Sequence, residues 1–275
     1  MTEVSVIIPT FNRSEKVCRA VSSLLSQTFT DFEVIVVDDC SDDETVYSLA
    51  QFQGKIRLIR HPKNMGVSAA RNTGIKASQG PLIAFLDSDD YWMPEKLETQ
   101  VLFLRENPGI SACQTDEIWI RNGARVNPMR KHIKPSGDIF EQSLKLCLVS
   151  PSAVMLRRPL IDCVGLFDEE LPVCEDYDLW LRISCEYPIH LIEKKLVIKE
   201  GGAPDQLSSS LKGMDRFRIR SMIKLLESGR LNDSQIKAVY KELEIKCHIY
   251  GEGCKKRGKV QEGNYYLQLP KKLRE

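Results

Sequence analysis

What this chain lacks already narrows what it can be. Its nine cysteines include no Cys-x-x-Cys pair, and Cys247-His248 with Cys254 fits no usual zinc spacing. An odd number of scattered thiols reads as reduced cysteine, so the expectation is a cytoplasmic protein. The N-terminus shows no basic segment followed by an apolar core, so the sequons at Asn12 and Asn232 carry no weight. No apolar run approaches the roughly 18 residues of a membrane span. No Gly-x-Gly-x-x-Gly follows a strand and no Gly-x-x-x-x-Gly-Lys-Ser/Thr loop occurs, which sets aside dinucleotide oxidoreductases and P-loop ATPases. An excess of one charge is missing too: 39 Lys and Arg against 38 Asp and Glu give +1, so no nucleic acid is expected as a partner.

The charges are unevenly spread. Seven acids and no Lys or Arg lie between Ala20 and Gly54, whereas five Lys/Arg and no acid lie between Arg121 and Lys134. The basic stretch reads first as a solvated loop, with phosphates or an anionic membrane surface as alternatives. From Lys241 onward nine Lys/Arg accompany five acids, a mixture that suits ordinary helical packing.

The first half alternates strand and helix signals, which predicts an α/β sheet. Val4-Ser5-Val6-Ile7-Ile8 is a strand closed by Pro9, followed by a helix with Val17, Val21, Leu24 and Leu25 on one face. Phe32 to Val37 is a second strand ending in Asp38-Asp39, and Ser41-Asp42-Asp43-Glu44 has the form of a capping box. Ile56 to Ile59 reads as a third strand, and Asn64-Met65-Gly66 turns into a helix through Ala69, Ala70 and Ile75. Leu82 to Leu86 is a fourth, running into Asp87-Ser88-Asp89-Asp90. Further on, a helix over 96–104, strands over 110–120 and 152–156, and a helix opening at Glu175-Asp176 are predicted. Its stripe of Trp180, Ile183 and Tyr187 reads as core. Beyond Met214 the chain reads as amphipathic helices, with Leu225-Leu226 and Leu243 with Ile245 on their apolar faces.

Three strands thus end in polar groups: Thr10-Phe11-Asn12, Asp38-Asp39 and Asp87-Ser88-Asp89. In a parallel sheet these ends meet at one edge, where open α/β folds bind ligands. Clustered carboxylates repel unless water, a cation or a basic group offsets them. Oxygen-rich sites of this kind suit Mg2+ or Mn2+ and a phosphate-bearing ligand. Asp90 also reads as an N-cap for the helix after Pro94.

Several ordered motifs resemble family 2 glycosyltransferases of the GT-A fold over roughly residues 1–200: Val4 to Arg13, Val36 to Asp43, Asn64 to Asn72, Phe85 to Trp92 and the Glu175-Asp176 pair. The resemblance implies a mostly parallel central sheet flanked by helices over 1–212, with a helical extension over 213–275. It also implies inverting transfer of a sugar from a nucleoside diphosphate donor, a UDP-sugar in first place, to a hydroxyl of a glycan or lipid-linked acceptor in polysaccharide or glycoconjugate synthesis. Pro9, Thr10, Asn12, Asp39, Arg71, Asp87 and Ser88 would then bind the donor. Asp89, with Asp87, would hold a divalent cation through which the diphosphate is bound. Asp176 would be the general base, with Glu175 beside it facing the acceptor. Arg71 would meet the diphosphate, or else pair with Asp38 or Asp87.

The chain departs from the family where many relatives carry a metal-binding His. Here the stretch is Gly201 to Ser208, with Asp205 as a substitute. The Gln-x-x-Arg-Trp motif of processive members is missing, so addition of one or a few sugars is expected. Peripheral membrane contact and a homodimer are left open. Two rival readings keep the fold: a sugar-phosphate nucleotidyltransferase, for which the basic Gly-rich N-terminal loop is missing, and a non-catalytic nucleotide-binding module.

Overall fold

Strands β1 (Val4–Thr10), β2 (Phe32–Asp38), β3 (Arg57–Arg60) and β4 (Leu82–Phe85) lie side by side and parallel in the order β3-β2-β1-β4. They are taken from a computed structural model that describes residues 2–127, 129–201 and 213–274. Beyond β4 the sheet is mixed and continues through β8 (Val154–Arg157), β6 (Ala112–Arg121), β9 (His190–Gly201) and β5 (Asp90–Trp92). β7 (Ala124–Val126) forms a hairpin with the end of β6.

The near-continuous apolar runs of β1 and β4 follow from burial on both faces. Alternate residues serve two cores, as the period of two dictates. Val4, Val6 and Ile8 pack with α1 (Ser14–Leu25) and α4 (Lys96–Glu106) on one side. Ile7, Ile83 and Phe85 pack on the other, against α3 (Val67–Ala77), α6 (Arg158–Val164) and α7 (Glu175–Ser184). The stripe of α1 is Val17, Ala20, Val21 and Leu24, whereas Leu25 faces solvent. Trp180 and Ile183 are core residues, as their spacing predicts.

A third core joins α7 to α5 (Phe140–Lys145) and to the C-terminal helices α8 (Asp215–Glu227), α9 (Asp233–Lys256) and α10 (Val260–Lys272). Tyr177, Leu181, Ile219, Met222, Val239, Leu243 and Cys247 fill it, together with Cys254. The two cysteines of the pseudo-zinc motif are therefore packing groups, while Ile245 lies exposed on the opposite face of α9. Helix α7 is clamped between two cores, which fixes the position of its first turn.

Two local expectations are corrected. Asp90 does not cap a helix: it opens β5, in register with Lys199 of β9, and the following helix begins only at Lys96. Ser41 to Glu44 make no capping box, because the Ser41 hydroxyl accepts the Asn12 amide across the β1 and β2 loops. The short helix α2 (Thr45–Leu49) has no side-chain cap.

Helix α3 crosses β1 at Gly74, where an added Cβ would sit 2.4 Å from the buried Ile7 side chain. Gly74→Ala should therefore lower stability by about 1–3 kcal/mol despite the better helix propensity of alanine. Urea unfolding of the variant beside the wild type measures it.

Candidate active site

The parallel strand ends and the start of α7 enclose one cavity of about 680 Å³. Pro9, Thr10, Asn12, Asp39, Arg71, Asp87, Ser88, Asp89, Glu175 and Asp176, the ten residues picked out by sequence, all line it. The loops that carry them are laced together. Asp39 N donates to Thr10 O, Asp42 N to Asn12 Oδ1 and Arg13 N to Thr45 Oγ1. Asn12 and Cys174, both lining the cavity, hold left-handed backbone at φ 51° and 64°. Such strain in non-glycine residues gathers where side chains must be aimed.

Arg71 is buried and connects the two acidic motifs. One nitrogen donates to Asp87 at 2.8 Å and another to Glu175 at 2.7 Å, so of the two partners sequence offered only Asp87 holds. Asp38 is paired with Arg60 instead. Burial disfavours the Arg71 charge, but Asp87 and Glu175 outweigh it and hold the guanidinium above its ordinary range. Its plane rests on Phe167, 5.1 Å away, whose backbone is clamped by the Asn72 amide. Asp87 is held below the usual carboxylate range because Arg71, with help from Lys199 and Arg13, overcomes its burial.

The other acids differ. Asp89 pairs with Arg13 at 2.9 Å. Asp90 is buried, accepts the Ser152 hydroxyl at 2.6 Å, and is pushed up to about 8 by burial, with Lys199 opposing and Asp87 and Asp89 adding. Glu175 is pushed up to about 7 by burial and the adjacent Asp176, with Arg71 opposing. Asp176 accepts the Tyr177 amide in the first turn of α7 and the Cys147 thiol at 3.4 Å. Asp39 spends its carboxylate on His61 and on the amides of Met65 and Gly66, where it organises the turn into α3. Thr10 Oγ1 and Arg71 Nε are buried without a hydrogen-bond partner among the described residues.

Several lining residues escaped the sequence reading. Lys199 aligns with Asp90 on one side and Trp119 on the other, and donates to Ser150 at 2.9 Å. Glu117 is aimed into the cavity just past a register irregularity between β6 and β9, and pairs with the buried Lys134 at 2.9 Å. Burial opposes the Glu117 charge, yet Lys134 and Lys199 hold the carboxyl down at about 2. A charged residue within an apolar strand, as at Glu117 or Lys199, is the signal that could have marked them.

Comparison with known proteins fits this geometry. The family model described as Glycosyl transferase family 2 matches residues 5–165. The chain belongs to that family. WfgD of Escherichia coli, a UDP-Glc:α-D-GlcNAc-diphosphoundecaprenol β-1,3-glucosyltransferase, is 35% identical over 181 residues, which are 66% of this chain and 69% of WfgD. Matches to glycosyltransferases of Rickettsia felis, R. conorii and R. bellii span only 32%, 32% and 28% of those longer proteins. Among solved structures, Staphylococcus aureus TarS 1–349 with UDP-GlcNAc superposes with TM-score 0.70 at 18% identity, covering 97% of this chain and 91% of TarS. A mannosyltransferase from Pyrobaculum calidifontis with GDP-Man and Mn2+ superposes with TM-score 0.64 at 17% identity, covering 97% and 74%. The fold of this family 2 member is the GT-A type.

The Glu117–Lys134 pair gives a stability test. Removing only one partner strands a buried charge, so Glu117→Ala should cost about 3–5 kcal/mol, and Glu117→Ala with Lys134→Met should recover most of it. Because the Glu117 carboxyl is depressed, its contribution is complete above its unfolded value and fades as pH falls toward about 2. Urea unfolding over an acid pH series should show that slope in the wild type and a shallower one in the double variant.

Proposed function

We propose that this protein transfers a sugar, with inversion, from a nucleoside diphosphate donor to a hydroxyl of a lipid-linked or glycan acceptor. What carries the reading is the single cavity in which Asp87 and Asp89 at the end of β4 face Glu175 and Asp176 at the start of α7. An inverting transfer needs both: one group to hold the diphosphate and another to take a proton on the acceptor side. A UDP-sugar is supported by the named donor of the E. coli relative and by the UDP-GlcNAc bound to TarS. A lipid-diphosphate acceptor is supported by the diphosphoundecaprenol in that relative's name.

In this reading the orphaned Thr10 hydroxyl meets the nucleoside, with the remaining acceptor capacity of Asp39 beside it. Arg71, Arg13 and Lys199 supply positive charge near the departing diphosphate. Asp176 takes the proton of the acceptor hydroxyl as its oxygen attacks the anomeric carbon and the bond to the diphosphate breaks. The Tyr177 amide and the Cys147 thiol keep that carboxylate oriented, and Glu175, locked to Arg71, ties the acceptor wall to the donor wall.

The donor set also suits a divalent cation. Among the described residues no three His, Cys, Asp or Glu are gathered as a complete metal site, and Asp205 lies outside those residues. Arg71 donates to Oδ1 of Asp87, and Arg13 pairs with Oδ2 of Asp89. Two carboxylates completed by substrate phosphates are how Mg2+ is usually held. Asp89 and Asp87 would hold such an ion, Mn2+ or Mg2+, which when bound supplies Lewis-acid stabilisation of the diphosphate. Residues 1–212 would form the transferase unit, and 213–275 an extension that braces α7 through the third core.

Asp176→Asn should lower kcat about a hundred- to ten-thousandfold while leaving UDP-sugar affinity nearly intact. Asp89→Asn should weaken Mn2+ and UDP-sugar binding together. Calorimetric titration with turnover assays separates the two, and normal turnover by Asp176→Asn would remove its assignment as base.

A further inference from the structure

The segment 121–134 has two faces. Its inner residues Trp119, just before it, His132 and Lys134 line the cavity, with the Trp119 and His132 rings 5.3 Å apart. Its base is fastened by the Lys134 ammonium, which donates to Glu117 and to the Thr115 carbonyl. The hairpin turns at Asn122-Gly123, both with left-handed backbone, the pairing expected of a tight two-residue loop. The outer face carries Arg125, set by register on the side of the hairpin opposite Trp119, and next along the chain Arg130 and Lys131, all exposed. Among them stand two large apolar side chains, Met129 at 59% exposure and Ile133 at 66%.

No carboxylate among the described residues pairs with any of those three cations. The other basic surface, on the C-terminal helices, is neutralised in part: Lys255 pairs with Glu252, Lys259 with Glu262 and Arg274 with Glu244, whereas Lys256, Lys271 and Lys272 make no ion pair among the described residues. The hairpin surface differs in that none of its exposed cations is paired among the described residues and in that it adjoins the cavity through Trp119 and His132. Uncompensated Lys and Arg around protruding apolar side chains complement a negatively charged lipid surface, where the cations meet headgroups and the apolar groups enter the acyl boundary. A soluble polyanion would meet the charges but leave Met129 and Ile133 in water.

We propose that the outer face of the 121–134 hairpin docks this protein on an anionic lipid bilayer, with the cavity mouth beside the membrane. The proposal deepens the reading of a lipid-linked acceptor, whose sugar end would then reach Trp119 and His132 without leaving the membrane. Docking itself is measured without donor or turnover, so it stands or falls separately from the transfer reaction.

The test is co-sedimentation of the full chain with phosphatidylcholine vesicles and with vesicles that also contain phosphatidylglycerol. Binding is expected only to the second kind, and should fall as salt rises. Arg125→Glu with Arg130→Glu and Lys131→Glu should weaken it by about a hundredfold or more, since each cation near such a surface contributes about 1 kcal/mol. Met129→Ser with Ile133→Ser should weaken it about tenfold at unchanged charge. Both variants should keep the wild-type melting temperature. The proposal is overturned if the protein ignores anionic vesicles, or if these variants bind them normally while Lys271→Glu with Lys272→Glu and Arg274→Glu releases the protein.

Discussion

The buried guanidinium of Arg71 is the contact on which the rest of the site depends. It holds Asp87 at the end of a central strand and Glu175 at the start of a helix that follows it by about ninety residues. Without a cation between them these acids would repel or take up protons, and the two walls of the cavity would have no common reference. With it, the strand-end acids and the helix-start acids become one rigid assembly. Phe167 beneath the guanidinium and Asn72 behind Phe167 set its position from α3.

Around that centre the fold supplies direction. Parallel strands bring their carboxyl ends to one edge, and α7 is fixed by packing on both sides, against the sheet and against the C-terminal helices. The C-terminal region thus bears on the cavity through Tyr177 and Leu181, although its own described residues contribute little to the lining beyond Met214. The charges along the rim are graded by environment. Asp87 is held ionised, Glu175 lies close to neutrality and Asp90 is pushed above it, so neighbouring carboxyls are suited to different tasks.

Much of this was legible in the chain because apolar runs ending in acids report both a buried strand and the edge where it stops. The convergence of Thr10, Asp39 and Asp87 followed from parallel order, and the Trp180 and Ile183 stripe from helical period. Asp90 was misread because a cap and a short edge strand carry the same local signal, and only pairing with β9 decides between them. Ser41 was misread because a hydroxyl that could cap its own helix instead serves a neighbouring loop. The pairings of Lys199, Glu117 and Arg13 depend on contacts between distant segments, which no local pattern encodes, although a charge inside a strand hints at the first two. The joint role of Arg71 was half visible: its partner at Asp87 could be named, but the one at Glu175 required the helix to be placed.

The most direct test of the account is a crystal structure of the protein with a UDP-sugar and Mn2+. The account predicts the diphosphate and ion at Asp87 and Asp89, Arg71 still joining Asp87 to Glu175, and Asp176 facing the anomeric carbon from the side opposite the diphosphate. A donor bound away from this cavity, or an Asp176 carboxylate turned away from the anomeric carbon, would contradict it.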